Sequence, residues 1–373
     1  MPADSILMPC SAAAVGARPG RMAAGARRMA FTKCCSLLAA ALVAGCAPAA
    51  ADYRWDEHAL GSGASLRGIS ALSRDVIWAS GSEGAVYKTE NRGRTWEKVV
   101  IPDTEHLDFR DVEVLSKDIV VIMSAGEGNR SSIFRTADGG ASWDEVFANA
   151  REEGFYDGLA FWDGKQGILG GDPVAGEMFF AKTVDGGESW QRIDPDLLPP
   201  LNEAETGGFA ASGSHLAVRG NSVWISSVFA GSRISFSRDR GVTWSVVSTP
   251  IVQQGRTEGI FSLAFFDEMT GVAVGGDFAR EADGADNVIL TDDGGLTWRF
   301  ARNFPVFQSS VRYLSRDNLV SVGPAAGYYS DDGGERWQQI DGNGYHSLSV
   351  AADGSVWAAG QGGRVASLVA SSR

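Results

Sequence analysis

Thr291-Asp-Asp-Gly-Gly-Leu-Thr-Trp298 is one of six copies of an eight-residue pattern that decides how this 373-residue chain folds. The others are Thr89-Glu-Asn-Arg-Gly-Arg-Thr-Trp96, Thr136-Ala-Asp-Gly-Gly-Ala-Ser-Trp143, Thr183-Val-Asp-Gly-Gly-Glu-Ser-Trp190, Ser237-Arg-Asp-Arg-Gly-Val-Thr-Trp244 and Ser330-Asp-Asp-Gly-Gly-Glu-Arg-Trp337. The shared formula is Ser/Thr-x-Asp/Asn-x-Gly-x-x-Trp, and its chemistry is that of a turn. The Asp or Asn accepts hydrogen bonds from nearby backbone N–H groups, and the Gly two positions on supplies a positive φ that a Cβ would penalise. The Trp then leads into a strand and buries its indole between sheets. Asn91, Asp138, Asp185, Asp239, Asp293 and Asp332 are accordingly structural, because a carboxylate saturated by its own loop is not free to bind a metal or move a proton.

The pattern tryptophans are separated by 47, 47, 54, 54 and 39 residues, the length of a four-stranded sheet unit with insertions. Strand-like segments such as 132–136 and 287–291 precede the boxes, Gly-rich apolar runs such as 76–81 and 270–276 lie upstream, and short strands follow each Trp. After the sixth box the chain has three more strand-like segments, at 345–350, 355–360 and 364–368, and no seventh box. The missing fourth strand is found at the other end, where 53–60 places Trp55 in the position of a box Trp. The expectation is an all-β, seven-bladed β-propeller whose last blade is closed by the N-terminal strand, which removes two open sheet edges at once. No linker divides the repeats, and the proline-containing run from Asp194 to Gly208 reads as a long loop between the third and fourth units.

The amino end is different in kind. Residues 1–28 read as an upstream extension, with Met29 the expected start. Residues 29–51 read as a signal peptide, in which Lys33 precedes an apolar stretch too short to span a bilayer. Val43-Ala-Gly-Cys46 has the form of a bacterial lipobox, which makes Cys46 the expected lipidation site, while Ala49-Ala-Ala51 would suit ordinary cleavage. The propeller is expected to occupy 52–373. All four cysteines, Cys10, Cys34, Cys35 and Cys46, fall in the leader, so disulfides and thiol chemistry are excluded for the body. Without residues 1–51, which hold five basic residues and Asp4, 28 basic residues face 45 acidic ones, a net charge of about −17 that disfavours nucleic-acid binding.

Binding groups belong on loops presented by a rigid scaffold. In a propeller, the loops entering the first strand of each blade and those between the second and third strands crowd one mouth of the central channel. The expected mouth residues are Arg67, Arg110, Asp111, Tyr156, Asp157, Glu258, Arg312 and His346 from the first set, and Asp172 and Asp277 from the second. The matched Gly-Gly-Asp at Asp172 and Asp277 places two carboxylates facing each other across the mouth, unless each caps its own turn. Asp277, Glu281, Asp283 and Asp286 could gather a Ca²⁺, but their spacing matches no EF-hand loop and they read as a charged, solvated turn. His58, His106 and His215 have no second His at metal spacing, so no metal site is expected. No glycine-rich phosphate loop occurs between a strand and a helix, and no cofactor is expected.

The repeated box is similar to the Asp-box, or BNR repeat, of sialidases, xyloglucan-degrading glycosidases, sortilin-like receptors and the photosystem II assembly and stability factors of the Ycf48/HCF136 type. The resemblance spans residues 53 to 368. Unit length, the box Trp in each complete blade and the exported start look most like the Ycf48-related group, which implies a non-enzymatic, protein-binding assembly or stability factor for an envelope or membrane complex. That group is associated with a basic patch, whereas this body is acidic. The alternative is a sialidase-like glycoside hydrolase, which would need clustered arginines, for which Arg67, Arg110 and Arg312 are the candidates, and a Tyr nucleophile from Tyr156, Tyr313 or Tyr345. The Arg-Ile-Pro segment usual in sialidases does not occur.

The sequence thus predicts an exported, periplasmic protein that touches the membrane only through a lipid anchor and binds a protein partner. Replacing Cys46 by Ala is expected to move the protein from the membrane to the soluble fraction. Unchanged membrane association on fractionation would refute lipidation at that residue.

Overall fold

A computed structural model describes residues 53–371, apart from 203–204, 229–231, 254, 302–304 and 341. The leader calls, including Cys46, lie outside the described residues. Seven four-stranded antiparallel sheets follow one another along the chain, each running from an inner to an outer strand. The inner strands are Leu66–Ala71, Phe109–Val114, Tyr156–Phe161, Leu216–Arg219, Glu258–Phe265, Ser310–Tyr313 and Ser347–Val350. Each contacts the next, and the last returns to the first, so the blades form a closed ring. The expected seven-bladed propeller is the observed one.

Closure works as the sequence predicts. Tyr53–Ala59 pairs antiparallel with Arg364–Ala370 over its whole length, with Trp55 opposite Leu368, and completes the seventh blade from outside. Trp55 is 7% exposed and packs against Tyr345 at 5.1 Å between ring centroids, within the core shared by blades six and seven. The ring is therefore held by one strand whose loss would leave two sheet edges unpaired.

The boxes saturate themselves. Asp185 takes hydrogen bonds from Thr183 Oγ1 at 2.7 Å and from the Ser189 backbone N–H at 2.9 Å, while Gly187 N–H donates back to Thr183 Oγ1 at 3.0 Å. The same bonds recur around Asp138, whose pKa is held down to about 2 by the hydroxyl and backbone N–H of Ser142. In the first box Asn91 replaces the acid and its amide donates to Thr95 Oγ1 at 2.7 Å. Box tryptophans then reach back to the preceding blade: Trp96 meets Trp357 edge-on, Trp143 meets Trp78 and Trp244 meets Phe180. Each turn thereby ties its own sheet and its neighbour together, which is why the pattern repeats.

The run from Asp194 is the long connection expected between the third and fourth units. After a short turn at Pro195–Leu197 it is pinned by a buried ion pair between Glu205 and Arg233, and Ser227 Oγ donates to the same carboxylate. From Gly207 to Ser214 the chain then crosses the channel. Because the fourth inner strand begins only at Leu216, the eight residues before it are free to lie across the axis.

Truncating Trp55 to Ala removes the largest side chain of the closing strand from a filled core. The expected loss is about 3–5 kcal/mol of stability by denaturant titration, and a loss below about 1 kcal/mol would show that the closing strand does not hold the ring.

Candidate functional site

Four of the seven inner strands carry a bulge at their first residues. The register slips between Leu66 and Gly68, Phe109 and Asp111, Tyr156 and Gly158, and Ile260 and Ser262. A bulge leaves one residue unpaired and turns its side chain out of the ladder. The residues so released are Arg67, Arg110, Asp157 and Phe261, at equivalent places around the ring. What they meet is the crossing segment.

That segment is bonded to nearly every blade. Gly207 N–H donates to Asp172 Oδ1 at 3.0 Å and Gly208 N–H to Asp157 Oδ2 at 2.9 Å, both on blade three. Arg110 donates to the Ala210 carbonyl at 3.1 Å and Arg67 to the Ala211 carbonyl at 3.2 Å. Ser212 Oγ donates to the Ser309 carbonyl at 2.8 Å, and Ser214 Oγ meets Ser262 Oγ at 2.9 Å. At Gly213 a Cβ would lie 2.4 Å from the Asp111 carboxylate, so only glycine passes there, and its φ of +63° is one that glycine adopts without strain. The segment is a plug.

It divides the channel into two cavities. The upper one, about 580 Å³, has Ala210 and Ala211 in its floor and is walled by Arg67, Arg110, His346 and the rings of Phe209, Phe261, Phe278 and Phe307. The lower one, about 400 Å³, has Gly213 in its roof, with Glu113 and Arg312 beside it.

Of the ten residues expected at the mouth, three line the upper well: Arg67, Arg110 and His346. Asp111 lies at the plug, where its carboxylate accepts from Leu159 N–H at 2.8 Å. Asp157 and Asp172 hold the plug's entry instead of facing open solvent. Tyr156 is sealed in the core between blades two and three, stacked between Phe147 and Phe179, because the bulge turns its neighbour Asp157 and not the phenol toward the axis. Glu258 and Asp277 both bind the Arg280 guanidinium at 2.6 Å, and Asp277 Oδ1 accepts from Ala279 N–H at 2.9 Å, so Asp277 caps its own turn. Arg312 belongs to the lower cavity. Among the described residues no group of acidic or histidine side chains is placed to hold a metal ion.

The arginines expected to converge for sialidase-type hydrolysis are thus split by the plug, two above and one below, and none of Tyr156, Tyr313 and Tyr345 lines the upper well. The constellation for that reaction is not assembled here.

Charge in the upper well is of one predominant sign. Arg110 pairs with Asp108 at 2.8 Å, while Arg67 forms no ion pair among the described residues. Burial and the nearby Arg110 work against the Arg67 charge, and Asp108 works for it. Burial, Arg67 and Arg364 lower the His346 pKa to about 4, so the imidazole is neutral at physiological pH. Beneath the plug the opposite condition holds. Burial raises Asp111 to about 7 and burial with Asp111 raises Glu113 to about 8, Arg312 opposing both. Sequence reasoning missed the four phenylalanines. Phe278 sits in a loop already singled out for its acids, whereas Phe209 lies just past the run read as a long loop between the third and fourth units.

Residues 328–339 match the BNR/Asp-box repeat. The chain is an Asp-box repeat propeller similar to solved structures of YCF48: one bound to a D1 peptide, at 17% identity and a TM-score of 0.60, with 85% of this chain and 97% of that chain covered, and one from Cyanidioschyzon merolae, at 16% and 0.61, with 84% and 98% covered. A streptogramin B lyase is similar at 12% and 0.57, with 86% and 98% covered. At such identities the likeness establishes the fold. No curated protein sequence matches the chain.

The acids gripping the plug make its stability depend on pH. Burial and Asp172 push Asp157 well above the usual carboxylate range, and burial lifts Asp172 to about 6. A raised folded-state pKa means the native protein holds more protons than the unfolded chain, so this contribution to stability is present at low pH and is lost as pH rises through the folded value. Asp157→Asn keeps an acceptor for Gly208 N–H and removes the charge. The variant is expected to melt higher than the parent at pH 8, with the gap closing toward pH 4; a gap constant across that range in calorimetry would contradict the assignment.

Proposed function

We propose that this chain is a non-enzymatic, exported propeller that binds a protein partner at its upper mouth and assists the assembly or stability of an envelope or membrane complex. The single observation that carries the reading is the well itself: a wide cavity lined by the guanidinium groups of Arg67, Arg110 and Arg256 and by four aromatic rings, with no tyrosine among the residues that line it. Such a surface has the composition of an interaction hot spot, in which Arg and aromatic side chains dominate. The similarity to YCF48, one structure of which holds a D1 peptide, supports a polypeptide as the occupant. Export through the leader and tethering at Cys46 belong to the same proposal and place the protein in the periplasm, on a membrane surface. A glycosidase reading has no observation in its favour, since Arg312 and the tyrosines stand apart from Arg67 and Arg110.

The test is co-purification. A tagged chain drawn from gently solubilised membranes is expected to bring a stoichiometric protein partner, and Arg110→Glu is expected to lose it. Recovery of the chain alone under conditions that preserve other membrane complexes would count against a binding role.

A further inference from the structure

We propose that the upper well takes an internal, extended segment of the partner, which sets a large apolar side chain among Phe209, Phe261, Phe278 and Phe307 and an acidic side chain on Arg67 and Arg110. The inference rests on the protein-binding reading and specifies its ligand.

The apolar half of the site is a half-built aromatic cluster. Phe209 stacks on Phe261 at 3.8 Å, and Phe307 meets Phe261 edge-on at 4.7 Å. Phe278 stands edge-on to both Phe209 and Phe261 at about 6 Å and is 47% exposed, although it is held in place by its backbone bond to Thr257 and by the Asp277–Arg280 clamp beside it. Phe261 and Phe307 are buried, Phe209 is half-buried and Phe278 is exposed at the rim. A large apolar side chain laid against it would complete the cluster, which is the arrangement expected of an anchor pocket.

The charged half points to an anion. In a body of net charge about −17, Arg67 and Arg110 share one acid, Asp108, and their neighbour His346 carries no charge. Glu281 and Arg256, on the opposite wall, contribute one charge of each sign. A carboxylate arriving beside Arg67 supplies the counter-charge that burial and Arg110 leave wanting, and two guanidinium groups suit its two oxygens.

Two features of the well suit a passing chain. The plug closes the floor, so nothing continues down the axis. Arg110 also lines a second cavity of about 310 Å³, shared with His106, Asp108, Glu127, Arg130 and Phe155, which continues the well outward between blades two and three. An extended segment can lie across both while its acidic residue rests on the guanidinium common to them.

A phage library of random dodecapeptides panned on the purified chain tests this. Enriched peptides are expected to carry an aromatic or large aliphatic residue within three positions of Asp or Glu. Synthesised with acetylated and amidated ends, they are expected to bind in fluorescence anisotropy and to weaken about tenfold or more on Phe278→Ser, on Arg67→Ala, and when their acids are replaced by Lys. Because Arg67 also holds the plug, Phe278→Ser, at an exposed ring, is the deciding arm. Enriched peptides that ignore Phe278→Ser, or that need a free terminal carboxylate, would overturn the proposal, as would a library with no enrichment over an immobilised control. If the co-purifying partner stays bound to Phe278→Ser and Arg67→Ala alike, this inference falls while the protein-binding reading stands.

Discussion

The bonds between the bulged inner-strand residues and the crossing segment are the constraint on which the site depends. Arg67 and Arg110 donate to the carbonyls of Ala211 and Ala210, while Asp157 and Asp172 receive the N–H groups of Gly208 and Gly207. Backbone buried at the centre of a ring cannot be left without partners. Here the partners are ionisable side chains from three blades, so the same bonds that satisfy the plug also fix two guanidinium groups at the base of the well. Binding chemistry and channel closure are one structure.

The ring that makes this possible is built from local rules repeated. Each box completes its own hydrogen bonds, and its Trp reaches the blade before it, so a blade needs its neighbours but no distant segment. Two links stand apart from this neighbour-to-neighbour packing: the pairing of Tyr53–Ala59 with Arg364–Ala370, and the plug. The first removes open edges at the rim. The second removes an open bore at the axis and converts a tube into a blind well.

Legibility in the sequence followed that division. The boxes, their spacing and the absent seventh box gave the blade count, and Trp55 marked the closing strand, because short-range turn chemistry writes itself into adjacent residues. At the mouth, Arg67 and Arg110 could be read from their places at the start of an inner strand and His346 from its place just before one. Tyr156 and Asp157 show why the rest was not. Adjacent residues in a strand point to opposite faces, and a one-residue bulge decides which of them meets the axis. Glu258 and Asp277 were readable as acids at the mouth, but their capture by Arg280 depends on the path of an inserted loop. The phenylalanine cluster draws its members from blade five, from the plug and from the segment entering blade six, a convergence that no local pattern announces.

The plug's crossing of the axis is the claim most open to direct measurement. Ser214, in the segment entering blade four, and Ser310, on blade six, are 96 residues apart with their Oγ atoms 3.5 Å from each other. The propeller body has no cysteine of its own, so Ser214→Cys and Ser310→Cys together introduce the body's first thiols. Mass spectrometry of the oxidised, digested protein is expected to find the two joined in one disulfide-linked peptide pair. Two free thiols in a folded chain would contradict the account.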